Sequence, residues 1–232
     1  MKLVVPVLKP TLAPISGSEA YFPIRRIFCV GRNYEAHARE MGKDPDRDPP
    51  FFFTKWPETF VSSGRMVNYP LSTENYHFEI ELVVAISKGG VSIAASEARK
   101  HIYGYAVGLD MTRRDLQLVA REQGRPWDTG KNFAESAPIG LIHSVDDIGH
   151  IDSGRISLEV NGEVKQDQDV RDLIWSTDEI IEHLSRLYEL HPGDLIMTGT
   201  PAGVGPVQSG DHLIGRIEGL SDLEVTIGSK QG

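Results

Sequence analysis

Apolar positions along this chain gather in short runs that alternate with polar ones more often than they recur every three or four residues, the pattern of strands rather than long helices. "IRRIFCVG" (24–31) reads as a strand leading into "RNYEAHAREMG", a short helical stretch that ends at Gly42. "KDPDRDPP" follows as a loop, and "PPFFFTKW" re-enters the core. "FEIELVVAI" is a strand, "SKGGVS" a turn, "AASEARKHI" a short helix and "YGYAVGLDM" a strand. Thr112 and Asp115 form a T-x-x-D cap for the helix "RRDLQLVAREQ", which Gly124 closes. Asn161-Gly162 between two alternating runs marks a hairpin. Ser176 and Glu179 form a capping box for "TDEIIEHLSRLYEL", which stops before Pro192. "LIMTG" and the runs after Gly210 are strands again.

Strands outnumber helices, and the helices are too few to alternate with them. The pattern excludes a Rossmann fold or a TIM barrel and predicts a β-rich, mixed α/β domain. Residues 1–20, rich in Pro, Ser and Gly, read as an N-terminal arm or an edge strand, and 21–232 as a single domain. No internal repeat or low-complexity tract is present.

Composition narrows the partners. Hydrophobic residues make up 40%, enough for a core, and the formal net charge is −9 with no Lys/Arg run. That balance speaks against nucleic acid or an anionic membrane surface. An anionic small molecule would need local cations. The single cysteine, Cys29, precludes an internal disulfide and fits a reducing cytoplasm. "MKLVVPVLKPTLAP" is too broken by Pro6, Lys9 and Pro10 for a signal h-region, and no apolar run reaches bilayer-spanning length. The expectation is a soluble cytoplasmic protein.

Within this frame, "HFEIEL" (77–82) is anomalous. On a strand, residues i and i+2 share a face, so Glu79 and Glu81 project together while Phe78, Ile80 and Leu82 face the other way. Two carboxylates so close are costly unless a cation lies between them. The next strand ends in Asp110, a third carboxylate. An all-oxygen set suits Mg²⁺ or Mn²⁺ rather than Zn²⁺. A solvated strand face is the commoner fate of an E-x-E pair, but the "VVAI" that follows argues for burial. In "GRNYEAHAREMG", His37 and Glu40 are three apart and share a helix face; a carboxylate beside an imidazole raises its basicity and suits it to activating water. Ordinary surface pairs have the same spacing. Gly31 and the Gly42–Pro50 loop flank this segment as they would a lid over about residues 31–50. "TGTPAGVGP" lacks the ending of a phosphate loop but offers Thr200 and backbone N–H groups to an anion. Cys29, inside an apolar run, reads as a core residue.

Taken together, "CVGRNYEAHAREMG", "HFEIELVVAI", "GYAVGLDMTRRDLQ", "GRPWDTGKNF" and "PGDLIMTGTPAGVGPV" resemble the fumarylacetoacetate hydrolase family, in its order and spacing, over about residues 22–228. Within it the chain looks most like the short bacterial acylpyruvate hydrolases, those acting on fumarylpyruvate above all. The resemblance implies a β-roll of mixed sheets with short helices, usually a homodimer. It implies one Mg²⁺ or Mn²⁺ per chain on Glu79, Glu81 and Asp110, and lid residues His37 and Glu40. It also places Lys131, Gln117 and Thr200 against the substrate. The activity implied is hydrolytic cleavage of the C–C bond of a 2,4-diketo acid, fumarylpyruvate giving fumarate and pyruvate. A cation should face the fumaryl carboxylate, and either Arg32 or Arg114 could serve. Oxaloacetate decarboxylation and dienoate isomerisation or hydration are alternatives within the family. A non-catalytic module holding a structural ion is the alternative outside it.

Overall fold

The structure, a computed structural model, describes residues 3–7, 9–35 and 48–230. Two large sheets carry the molecule. The larger has eight strands. Seven run in spatial order Phe51–Lys55, Arg26–Gly31, Asp194–Met197, Ile80–Ile86, Ile102–Leu109, Ala137–Ile139 and Phe60–Ser62; His143–Ser144 also pairs with Ile102–Leu109. The five-stranded sheet runs Glu163–Asp169, Arg155–Val160, His212–Ile217, Leu223–Lys230 and Arg65–Tyr69. Both are mixed: Asp194–Met197 is parallel to Arg26–Gly31, and Leu223–Lys230 is parallel to Arg65–Tyr69. A small three-stranded sheet of Thr112–Arg113, Tyr76–Phe78 and Gly205–Pro206 stands at one end. The fold class is the strand-rich α/β arrangement anticipated from the sequence.

Ile80–Ile86 is buried along its whole length and feeds two cores. Ile80, Leu82, Val84 and Ile86 join the main core with Ile156, Leu158, Leu213 and Ile217 of the five-stranded sheet. Val83 and Ala85 face a second core with Ile27, Cys29, Leu195 and Met197, which Ala13, Phe22 and Ile24 cover from the Thr11–Pro14/Tyr21–Ile24 hairpin. Part of the N-terminal arm is thus a paired strand. Glu79 and Glu81 continue the face of Val83 and Ala85, so the second core gives way to carboxylates at the strand's end.

Local signals held where their partners are near in sequence. The capping box is present: Ser176 Oγ accepts from Glu179 N, and the Glu179 carboxylate accepts from Ser176 N, at the start of helix Thr177–Leu187. The Asn161-Gly162 turn has φ of 52° and 82°, both left-handed as a two-residue hairpin requires. The Thr112/Asp115 cap is corrected. Arg113 occupies the N-cap of helix Arg114–Glu122, with no side-chain bond. Thr112 Oγ1 instead donates to Asp110 O, and the Asp115 carboxylate accepts from Thr73 Oγ1 and Glu74 N. Tertiary partners took both groups. The "AASEARKHI" helix forms as 3₁₀ turns over Ala95–His101.

Candidate active site

Glu79, Glu81 and Asp110 each turn one carboxylate oxygen into a cluster whose atoms lie within 4.8 Å of one another, and all three are buried. Three elements deliver them. Glu79 occupies the break between strands Tyr76–Phe78 and Ile80–Ile86, Glu81 is the second residue of the latter, and Asp110 follows Ile102–Leu109. The antiparallel register sets Ile80 opposite Leu109 and Glu81 opposite Gly108, and Asp110 N donates to Glu79 O. The acids are brought together by ordinary strand pairing.

Cations surround them on one side. Lys131 Nζ, 2% exposed, donates to Glu79 Oε2 at 2.7 Å, Asp110 Oδ2 at 2.6 Å and Thr112 Oγ1 at 2.8 Å. Burial works against its charge, but Asp110 and Glu79 outweigh that and hold the ammonium above the ordinary lysine value. Arg114, from the first turn of its helix, donates to the Glu79 carboxylate and to Gln117 Oε1. Lys131 sits at the end of the short helix Asp128–Lys131. This helix packs so tightly on Gln117 that a Cβ on Gly130 would meet Gln117 N at 2.8 Å, so only glycine allows the approach.

Glu81 stands apart. Its carboxylate accepts a hydrogen bond from Gly199 N at 2.7 Å, and burial, Asp110 and Glu79 together push its carboxyl well above the carboxylate range. Asp110 Oδ1 is buried and faces Lys55 Nζ at 2.9 Å as an ion pair. An oxygen-only donor set with one under-compensated carboxylate fits a hard divalent cation. Gly199 itself has φ 101°, and a Cβ there would meet Asn33 Cβ at 2.7 Å. Glycine is therefore what lets this amide reach Glu81.

The acids form one side of a cleft that is also lined by Arg32, Phe53, Arg114, Gln117, Trp127, Lys131 and Thr200. Seven of the nine site residues expected from the sequence therefore line one cavity: Glu79, Glu81, Asp110, Lys131, Gln117, Thr200 and Arg32. His37 and Glu40 lie outside the described residues. Of the two candidate arginines, Arg114 is committed to Glu79 and Gln117 at the cleft floor. Arg32 is half-buried, its Nε bonds to nothing among the described residues, and its guanidinium lies 5.5 Å from the Phe51 ring centre and 6.0 Å from that of Trp127.

Three supporting residues escaped the sequence reading. Lys55, 1% exposed, donates to Met111 O and Lys131 O besides pairing with Asp110. Gln166, from the five-stranded sheet, accepts from Ile80 N and donates to Thr200 Oγ1 at 2.9 Å, tying both sheets to the site. Asn33 donates to Trp175 O and Thr198 O and accepts from Trp175 N, fastening the chain just ahead of residue 36. Every one of these contacts joins residues remote in sequence. Only the Lys in "FFFTKW", a charge at the end of an apolar run, carried a local hint.

Comparisons with known proteins identify the family. The family described as fumarylacetoacetate (FAA) hydrolase C-terminal matches residues 26–228. A fumarylpyruvate hydrolase from Ralstonia sp is 52% identical over 190 residues, covering 81% of this chain and 98% of the relative. The crystal structure of fumarylpyruvate hydrolase from Pseudomonas aeruginosa, in complex with Mn²⁺ and pyruvate, superposes with a TM-score of 0.96 at 51% identity, covering 99% of this chain and 100% of that one. A mitochondrial oxaloacetate decarboxylase from Dictyostelium discoideum is 35% identical over 205 residues, covering 88% of this chain and 94% of the relative. On the matched span, the identities and the shared fold, the chain belongs to the fumarylacetoacetate hydrolase family.

Proposed function

We propose that this chain is a divalent-metal-dependent hydrolase that cleaves the C–C bond of a 2,4-diketo acid, fumarylpyruvate to fumarate and pyruvate. The observation that carries the reading is the buried Glu79–Glu81–Asp110 cluster with Lys131 beside it in one cleft. The Ralstonia and Pseudomonas relatives support the substrate.

Glu79, Glu81 and Asp110 hold Mg²⁺ or Mn²⁺, one ion per chain. When bound, the ion supplies Lewis-acid polarisation and an anchor for the α-keto acid end of the substrate. Gln117 and Thr200 orient that end through hydrogen bonds. His37, with Glu40 holding its tautomer, takes a proton from water as the oxygen bonds to the carbonyl carbon of the acyl group. The bond between that carbon and the methylene then breaks, and its electron pair goes to the methylene carbon. Lys131, held protonated by its carboxylate neighbours, places a fixed positive charge near the developing enolate. Return of the proton from His37 to that carbon gives pyruvate, and the acyl fragment leaves as fumarate. Arg32 faces the fumaryl carboxylate. The enzyme works as a cytoplasmic homodimer.

Among the described residues no helix is long and apolar enough to cross a membrane. Incubation with fumarylpyruvate, acetylpyruvate and oxaloacetate, with products quantified, tests the reading. Equimolar fumarate and pyruvate from fumarylpyruvate is the expected result. Turnover of oxaloacetate to pyruvate and CO₂ without diketo-acid cleavage would move the assignment to decarboxylation.

A further inference from the structure

Helix Arg114–Glu122 presents a row of residues to the cleft. Arg114 and Gln117 line it directly. At 100° per residue, position 121 falls between 114 and 117 around the helix axis, so Arg121 continues the same stripe. It lies seven residues beyond Arg114, about 10 Å further along the axis at ordinary helical rise. The stripe thus runs from the carboxylate cluster at the floor to a second guanidinium outside it.

Arg32 lines the same cleft as Arg114 and Gln117. Its φ is 58°, a left-handed conformation uncommon for an arginine, and it follows Gly31, which also lines the cleft. Neither Arg32 nor Arg121 has an ion pair among the described residues, whereas Arg114 is fully engaged. Burial opposes the Arg32 charge, and the Arg121 charge opposes it further, so the two guanidiniums feel one another. Two like charges that repel one another are relieved when an anion binds between them.

We infer that Arg121 and Arg32 form a two-arginine clamp for the distal carboxylate of a dicarboxylic diketo acid, and that Arg121 selects diacids over monoacids. The dimensions agree. Fumarylpyruvate spans about 7–8 Å from its first to its last carbon when extended, on ordinary bond lengths. Its keto-acid end at the Arg114–Gln117 level therefore puts its far carboxylate at the Arg121 level. Arginine suits this place because its planar fork can grip a carboxylate with two parallel N–H bonds. The inference rests on the hydrolase reading and adds the residue that sets its preference for a charged acyl group.

The test compares fumarylpyruvate with acetylpyruvate, which lacks the distal carboxylate, using the full chain with added Mn²⁺. In Arg121→Gln the ratio of kcat/KM for fumarylpyruvate over acetylpyruvate should fall roughly tenfold to a hundredfold, the usual loss for one charged hydrogen-bonding partner. The loss should fall on KM, and Arg121→Lys should recover part of it. A ratio within twofold of wild type in Arg121→Gln overturns the clamp, as does a wild type with no preference for fumarylpyruvate. A wild type that cleaves neither substrate fails differently: it overturns the hydrolase reading, and the clamp falls with it.

Discussion

Lys131 Nζ donates to Asp110 Oδ2 across 2.6 Å, with neither side chain more than 2% exposed. A lysine and an aspartate taken so far out of water persist only because each satisfies the other and both have further partners. The pair gives the site two functions at once: an anionic cage on one side, and a fixed positive charge on the other.

These functions separate in Lys131→Met. Removing the ammonium makes the cage more negative, so Mn²⁺ should bind at least as tightly as to wild type. The fixed charge beside the developing enolate is lost, and kcat should fall by about 100-fold or more. Steady-state kinetics beside an Mn²⁺ titration checks both. Weaker Mn²⁺ binding with unchanged kcat would place Lys131 in the cage rather than in the chemistry.

Lys55 tests the support beneath. Its substitution by methionine leaves two carbonyls, Met111 O and Lys131 O, without their donor and takes one cation away from Asp110. Breaking a buried pair from one side costs about 3–5 kcal/mol. Urea unfolding of Lys55→Met should show an unfolding free energy lowered by that amount, and an unchanged one would mean that the site relaxes without it.

How much of this could be read beforehand varies with the distance over which each contact acts. The i, i+2 geometry of Glu79 and Glu81, the Asn161-Gly162 turn and the Ser176/Glu179 box depend on neighbours a few residues away, and all formed. Thr112 and Asp115 carried an equally good local signal, but residues such as Thr73 and Glu74 compete for the same groups, and tertiary bonds won. The choice between Arg32 and Arg114 was open for the same reason: Arg114 is spent on Glu79, 35 positions away, and nothing near it in sequence says so. Lys55 and Gln166 are buried by strands that no local pattern pairs.

The general-base role proposed for His37 supplies a kinetic discriminator. His37→Ala should lose about 10²–10⁴-fold in kcat for fumarylpyruvate cleavage, the usual contribution of a general base. Mn²⁺ affinity should change little, since the proposed ligands are Glu79, Glu81 and Asp110. Oxaloacetate decarboxylation needs no attacking water and should survive the substitution. Unchanged fumarylpyruvate turnover would remove His37 from the mechanism.

Asp115 predicts an acid-side effect. Partial burial opposes its charge, but Thr73 Oγ1 and the backbone N–H groups of Glu74 and Leu116 prevail and hold its carboxyl below the ordinary 3.8. A depressed carboxylate contributes stability that is present above its unfolded pKa and lost as pH falls through its folded one. Asp115→Asn should therefore melt a few degrees below wild type at pH 7, on about 1 kcal/mol for so exposed a group. The gap should close as pH drops below about 4. Melting curves from pH 7 to pH 3 measure it, and a gap that stays constant would show that the carboxylate charge contributes nothing.

The most direct test of the account is metal stoichiometry read against rate. Protein stripped with EDTA is titrated with Mn²⁺ while fumarylpyruvate cleavage is followed, for wild type and for Glu81→Gln. The account predicts no cleavage in the stripped wild type, full recovery at one equivalent per chain, and a much higher Mn²⁺ requirement in Glu81→Gln. Full turnover in the stripped protein, or an unchanged requirement in Glu81→Gln, would contradict the assignment of the buried carboxylates to a catalytic ion.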